Sequence, residues 1–82
     1  MKLRRDLSGA ELASALRRYG YEIVRQTGSH IRLTSTIKGK EHHITIPRHK
    51  RLTVGTLGAI LADVADYLDI SREKLGEDLF GG

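Results

Sequence analysis

Histidine and a surplus of cations are the chemistry-bearing residues of this 82-residue chain. Four histidines stand among 14 Lys+Arg and 10 Asp+Glu, a net charge of +4, with no cysteine. Without cysteine there is no disulfide framework, no thiolate nucleophile and no thiolate-bound zinc. Glu41-His42-His43 does not read as a metal site, because neighbours on a strand point to opposite faces. No His-x-x-x-His pair, Gly-x-Ser-x-Gly elbow, dinucleotide glycine pattern or Walker phosphate loop is found. Neither a metal nor a cofactor is expected.

What remains is proton transfer by imidazole. A free histidine titrates near pH 6.5, which suits general acid–base work at physiological pH. RNA supplies its own nucleophile, the ribose 2′-OH, and cations can stabilise the charge that develops on phosphorus. His30 is the candidate base: it opens a strand directly after the Thr27-Gly28-Ser29 turn signal. A lone base without metal would give a 2′,3′-cyclic phosphate and a free 5′-OH. Arg25, Arg32, Lys50 and Arg51 are the candidates for holding RNA, within a wider basic set that includes Lys38, Lys40 and Arg48. His43 offers a second acid/base group on the same face as His30. His49, in Arg48-His49-Lys50-Arg51, reads as a phosphate contact, and His42 as an inward, hydrogen-bonded structural residue. Tyr19, Tyr21 and Tyr67 offer ring faces for stacking on bases, with Tyr19 also on an apolar stripe.

The charge is unevenly spread. Residues 1–52 hold twelve basic and four acidic residues, residues 53–82 two basic and six acidic. The basic part points to a polyanion partner, and the acidic part lies outside that footprint. No run approaches the roughly 20 apolar residues of a membrane span. Ser8-Gly9-Ala10-Glu11 interrupts any apolar leader behind the basic N-terminus, so a cytoplasmic protein is expected.

These residues need elements to position them. Ser8 and Glu11 have capping-box spacing, Leu7 and Leu12 staple spacing, and Gly20 is a stop; a helix is expected over 9–19. Strands are expected over 21–26, 30–35 and 41–46. Placing Ile31 and Leu33 beside Ile44 and Ile46 sets the hairpin register, pairing Leu33 with Ile44 and Ile31 with Ile46 across a loop at 37–40. His30, Arg32, Thr34, His43 and Thr45 then share the outer face. Thr53 caps a second helix with the stripe Leu57, Ile60, Leu61, Val64 and Leu68, and Gly55 and Gly58 suggest close approach of another group. A short helix from Ser71 would turn Leu75, Leu79 and Phe80 inward. The expected fold is α+β, in the order α-β-β-β-α of a double-stranded-RNA-binding domain. It is a three-stranded antiparallel sheet with helices on one face, plus a short C-terminal helical extension. One domain is expected over residues 1–82, with a core at 7–70 and an extension at 71–82.

Gly20-Tyr21, Val24-Arg25-Gln26-Thr27-Gly28-Ser29-His30, Ile44-Thr45-Ile46-Pro47-Arg48-His49, Gly55-Thr56-Leu57 and Ile60-Leu61 together resemble the HicA toxin family. The resemblance covers about residues 7–70. It implies a double-stranded-RNA-binding-domain-like fold and a metal-independent mRNA interferase of a type II toxin–antitoxin module, neutralised by a HicB antitoxin. It places the family's catalytic histidine on His30, with Gly28 and Ser29 shaping its turn. Gly58 stands where many members carry a basic residue, and the motif assigns no role to residues 71–82. Two other classes share the basic face and remain open here: a non-catalytic double-stranded-RNA-binding module and a pure protein-interaction domain.

Overall fold

The structure, a computed structural model, describes residues 6–81. Residues 1–5, which carry the basic N-terminus weighed above as a leader, and residue 82 lie outside the described residues.

Helix α1 (Gly9–Ala15) continues as a 3₁₀ turn, Leu16–Tyr19, so the helix expected over 9–19 is present with a tightened last turn. Ser8 Oγ accepts from the Glu11 N–H and the Glu11 carboxylate accepts from the Ser8 N–H, both at 3.0 Å. Leu7 and Leu12 are both buried, as a staple requires. Gly20 ends the segment at φ +82°, a conformation that costs glycine little.

Strands β1 (Glu22–Gln26), β2 (His30–Ser35) and β3 (His42–Pro47) form one antiparallel sheet in that order. Leu33 opposes Ile44 and Ile31 opposes Ile46, the register set by the alternation. Pairing ends at Ser35 and His42, so the connection is two residues longer than the loop expected. The inner side chains Ile31, Leu33, Ile44 and Ile46 are buried beneath α1 and α2 (Val54–Leu68). Among the described residues no element packs on the opposite, bare sheet face, which carries His30, Arg32, His43 and Thr45 exposed with Thr34 half-exposed.

Strand β1 departs from a two-sided strand. Its register shifts between Ile23 and Arg25, and Ile23 and Val24 are 46% and 58% exposed. Helix α1 leans on β2 and β3, and α2 on β3, while all five residues of β1 are exposed at an edge of the sheet. Tyr21, just before the strand, supplies the core instead and is fully buried.

Helix α2 is capped by Thr53, whose Oγ1 accepts from the Thr56 N–H at 3.1 Å. Its expected stripe from Leu57 to Leu68 is buried. Gly55 and Gly58 meet no close neighbour: a Cβ on Gly55 would touch nothing within 4 Å, and one on Gly58 only the Arg72 guanidinium at 3.9 Å. Among the described residues no strand makes the close approach these glycines suggest; both face an open groove between α2 and the start of α3 (Arg72–Phe80). Ser71 caps α3, Leu75 is buried, and Leu79 and Phe80 rest half-buried against the core. Tyr19 donates to Asp78 Oδ2 at 2.7 Å, and the Arg18 guanidinium donates to the Asp78 carbonyl. The C-terminal extension is thus bolted to the first helical segment. Among the described residues, no helix is long and apolar enough to cross a membrane.

Candidate active site

The β1–β2 hairpin turns through Gly28-Ser29, closed by the Thr27 N–H donating to the His30 carbonyl at 2.9 Å. Thr27 Oγ1 accepts from the His30 N–H at 3.0 Å and from the Ser29 N–H at 3.3 Å, the local hydroxyl bonding that favours threonine in turns. Gly28 does not adopt a left-handed φ, and a Cβ there would meet nothing within 4 Å. The turn itself therefore does not demand glycine. His30 follows at the first position of β2, exposed on the bare sheet face. Its Nδ1 lies 2.9 Å from Ser29 Oγ. With Nδ1–H donating to that hydroxyl, Nε2 keeps a free lone pair turned from the contact.

The cations divide between the two ends of the sheet. Arg32 shares the His30 face, two residues and about 7 Å further along β2. Arg25 opposes Arg32 across the β1–β2 ladder, and both are exposed. Pro47 opposes His30, and the Arg48 N–H donates to the Ser29 carbonyl at 2.8 Å, which brings the loop with exposed Lys50 and Arg51 to the same end. The Arg48 guanidinium also donates to the Thr27 carbonyl at 2.8 Å. This loop is seated against α1: the Gly9 N–H donates to the His49 carbonyl at 2.9 Å, and a Cβ on Gly9 would collide with the Pro47 carbonyl oxygen. Lys38 and Lys40 lie at the far end, where the Lys38 N–H and the Lys40 carbonyl bond the Tyr67 hydroxyl.

The other histidines separate from His30. His43 opposes Thr34 and lies 2.7 Å from its hydroxyl, about four residues or 13 Å from His30 along the sheet. It shares the face, as expected, but not the centre; one phosphodiester does not span that distance. His42 faces the helices. Its Nδ1 is 2.6 Å from the Tyr21 hydroxyl, its Nε2 3.1 Å from Asp63 Oδ1, and its ring stacks on Tyr67 at 4.6 Å and 9°. The reading of Tyr19, Tyr21 and Tyr67 as base-stacking platforms is overturned. Tyr21 is sealed in the core, Tyr67 offers its face to His42, and Tyr19 is half-buried on Asp78. Burial pushes the Tyr21 phenol up, helped by Tyr67 and Asp63. Burial and then the bond to Asp78 push Tyr19 up to about 12.

A family model described as the HicA toxin of bacterial toxin–antitoxin systems matches residues 9–65. The chain belongs to the HicA toxin family. It is accordingly a toxin-type component of a toxin–antitoxin system. No match was found among curated proteins or among solved structures. The HicA match runs from α1 into α2 and takes in the His30 turn, the bare sheet face and the basic loop. It stops before α3, so the helix anchored through Asp78 stands outside the HicA region. Two residues already noted in the sequence take contacts at this end that the sequence does not assign to them. Thr27 is signalled by its place before Gly28-Ser29. Arg48 carries no local signal, since its partners lie 19 and 21 residues away.

Proposed function

We propose that this HicA-family chain is a metal-independent mRNA endoribonuclease toxin in which His30 is the general base. The observation that carries the reading is an exposed imidazole on the open sheet face, oriented by Ser29 Oγ at 2.9 Å, at the end of the sheet where the basic loop converges. His30 Nε2 takes the 2′-OH proton, and the 2′-oxygen forms a bond to the adjacent phosphorus. The bond from phosphorus to the 5′-oxygen breaks, and that oxygen takes a proton from solvent. The products are a 2′,3′-cyclic phosphate and a 5′-OH. The nucleophile belongs to the substrate, so no metal is needed to generate it. Arg25, Arg32, Lys50 and Arg51 hold the phosphates, with Lys and Arg charge opposing the growing phosphorane charge. Gly28, without a side chain and with open space beside it, lets the RNA backbone approach the turn. Ser29 orients the base. A HicB-like antitoxin covering this face would silence it. Residues 1–82 act as one domain.

Induction of the chain alone, beside its His30→Ala variant, tests the proposal. Growth arrest and mRNA fragmentation are expected with wild type and lost with His30→Ala, while RNA affinity persists. Equal cleavage by both would remove His30 from the chemistry. Binding without cleavage or toxicity would leave a non-catalytic RNA-binding module.

A further inference from the structure

We infer that Arg48 is a positioning residue for His30, holding the Thr27–Ser29 turn against β3 so that the imidazole meets the ribose in one orientation. The inference rests on His30 being the base proposed above.

Arg48 grips the turn twice, with different parts of itself. Its backbone N–H donates to the Ser29 carbonyl and its Nη1 to the Thr27 carbonyl, each at 2.8 Å. Those two carbonyls flank Gly28 at the tip. The remaining bonds of the turn run between Thr27, Ser29 and His30 and close the hairpin on itself. Arg48 instead ties it to the opposite side of the sheet. The tie matters because β1 gives weak support: its register slips at Val24 and all five residues are exposed. Ser29 carries both the carbonyl that Arg48 holds and the hydroxyl that meets His30 Nδ1. A displacement of residue 29 therefore passes directly to the imidazole. The rival role for a cation here is a phosphate contact, as for Lys50 and Arg51. The Arg48 guanidinium differs from them in being committed to a carbonyl of the chain itself. Loss of its side chain spares the backbone bond and so spares the fold, and removes one of the two anchors.

The test uses Arg48→Ala and Arg48→Lys in the full chain with three readouts. These are steady-state cleavage of a labelled RNA, amide exchange of the free protein, and RNA affinity against salt in the His30→Ala background. Arg48→Ala is expected to lower kcat by about 10- to 100-fold, the effect of an ångström-scale misplacement, with KM changed less than about threefold. Exchange at Ser29 and His30 should quicken without RNA present. Lysine, whose ammonium can donate to the Thr27 carbonyl but without the planar fork of a guanidinium, should recover part of kcat and safeguards the test should the alanine variant fold poorly. The salt slope should stay unchanged. A raised KM at constant kcat, or a slope lower by about one ion, would make Arg48 a phosphate ligand and overturn the inference. Unchanged kcat with unchanged exchange would overturn it equally. Should His30→Ala cleave like wild type, the catalytic reading itself falls, whereas quickened exchange in Arg48→Ala would still establish the grip on the turn.

Discussion

Replacing His42 with alanine should cost stability rather than chemistry, the reverse of replacing His30. The Tyr21 hydroxyl is fully buried and its partner is His42 Nδ1 at 2.6 Å. Removing the imidazole strands that hydroxyl, a penalty of about 1–3 kcal/mol. Lost stacking on Tyr67, at 4.6 Å and 9°, adds about 0.5–1.5 kcal/mol. The contact to Asp63 is left out of the sum, because that carboxylate is well exposed and such pairs contribute little. The total is roughly 1.5–4.5 kcal/mol, at least about 6 °C in Tm for a chain of this size. Tyr21→Phe removes the hydroxyl with its bond and should cost only about 0.5–1.5 kcal/mol. With phenylalanine already present, His42→Ala strands nothing, so the double variant should lose less than the sum by about 1–3 kcal/mol. Urea unfolding followed by circular dichroism, in the His30→Ala background to protect the expressing cells, measures all four corners of the cycle. A His42→Ala loss within about 0.5 kcal/mol of zero, or strict additivity, would refute the reasoning.

Gly9→Ala should destabilise by about 1–3 kcal/mol in the same assay, because the new methyl collides with the Pro47 carbonyl and forces α1 off the basic loop; unchanged stability would contradict that contact. Gly28→Ala should keep its stability or gain up to about 1 kcal/mol, since its Cβ enters open space at an ordinary φ. Under the proposed function it should nonetheless raise KM for RNA, and unchanged cleavage would contradict close approach there. Tyr19, raised to about 12 chiefly by burial, and Tyr21, raised likewise, are held neutral in the fold. Their contribution is complete below the unfolded value of about 10 and is lost as pH rises through the folded values. Stability should fall between about pH 10 and 12, less steeply in Tyr19→Phe, as urea titrations along that range would register.

Much of this fold is written in local pattern. The alternation of Ile31, Leu33, Ile44 and Ile46 is enough to set the β2–β3 register, because a slip of one residue would expose all four. That parity turns His42 inward and puts His30, Arg32 and His43 on the bare face. Ser8, Thr53 and Ser71 mark helix starts because their hydroxyls satisfy N–H groups within three residues. What is not legible is decided by contacts between elements. Val24 looks like an ordinary strand residue, yet β1 slips there at an edge of the sheet where all five of its residues are exposed. Gly55 and Gly58 invite a close neighbour that the path of α3 does not supply. Gly9 carries no turn signal, and its need for hydrogen in place of a side chain arises from the end of β3, 38 residues away. For the candidate site, the position of His30 after its turn is readable from Thr27-Gly28-Ser29. The division of cations is not: Lys38 and Lys40 are nearer to His30 in sequence than Lys50 and Arg51, but the hairpin carries them to the other end.

The most direct measurement is cleavage of an RNA whose preferred scissile nucleotide alone is replaced by its 2′-deoxy counterpart, with EDTA present throughout. The account predicts that the all-ribose RNA is cut to a 2′,3′-cyclic phosphate and a 5′-OH by wild type but not by His30→Ala, and that the deoxy-substituted RNA resists at that site. Cleavage of the deoxy site by wild type, or products ending in a 3′-OH and a 5′-phosphate, would mean that water attacks instead and would contradict His30 as the base for a ribose hydroxyl.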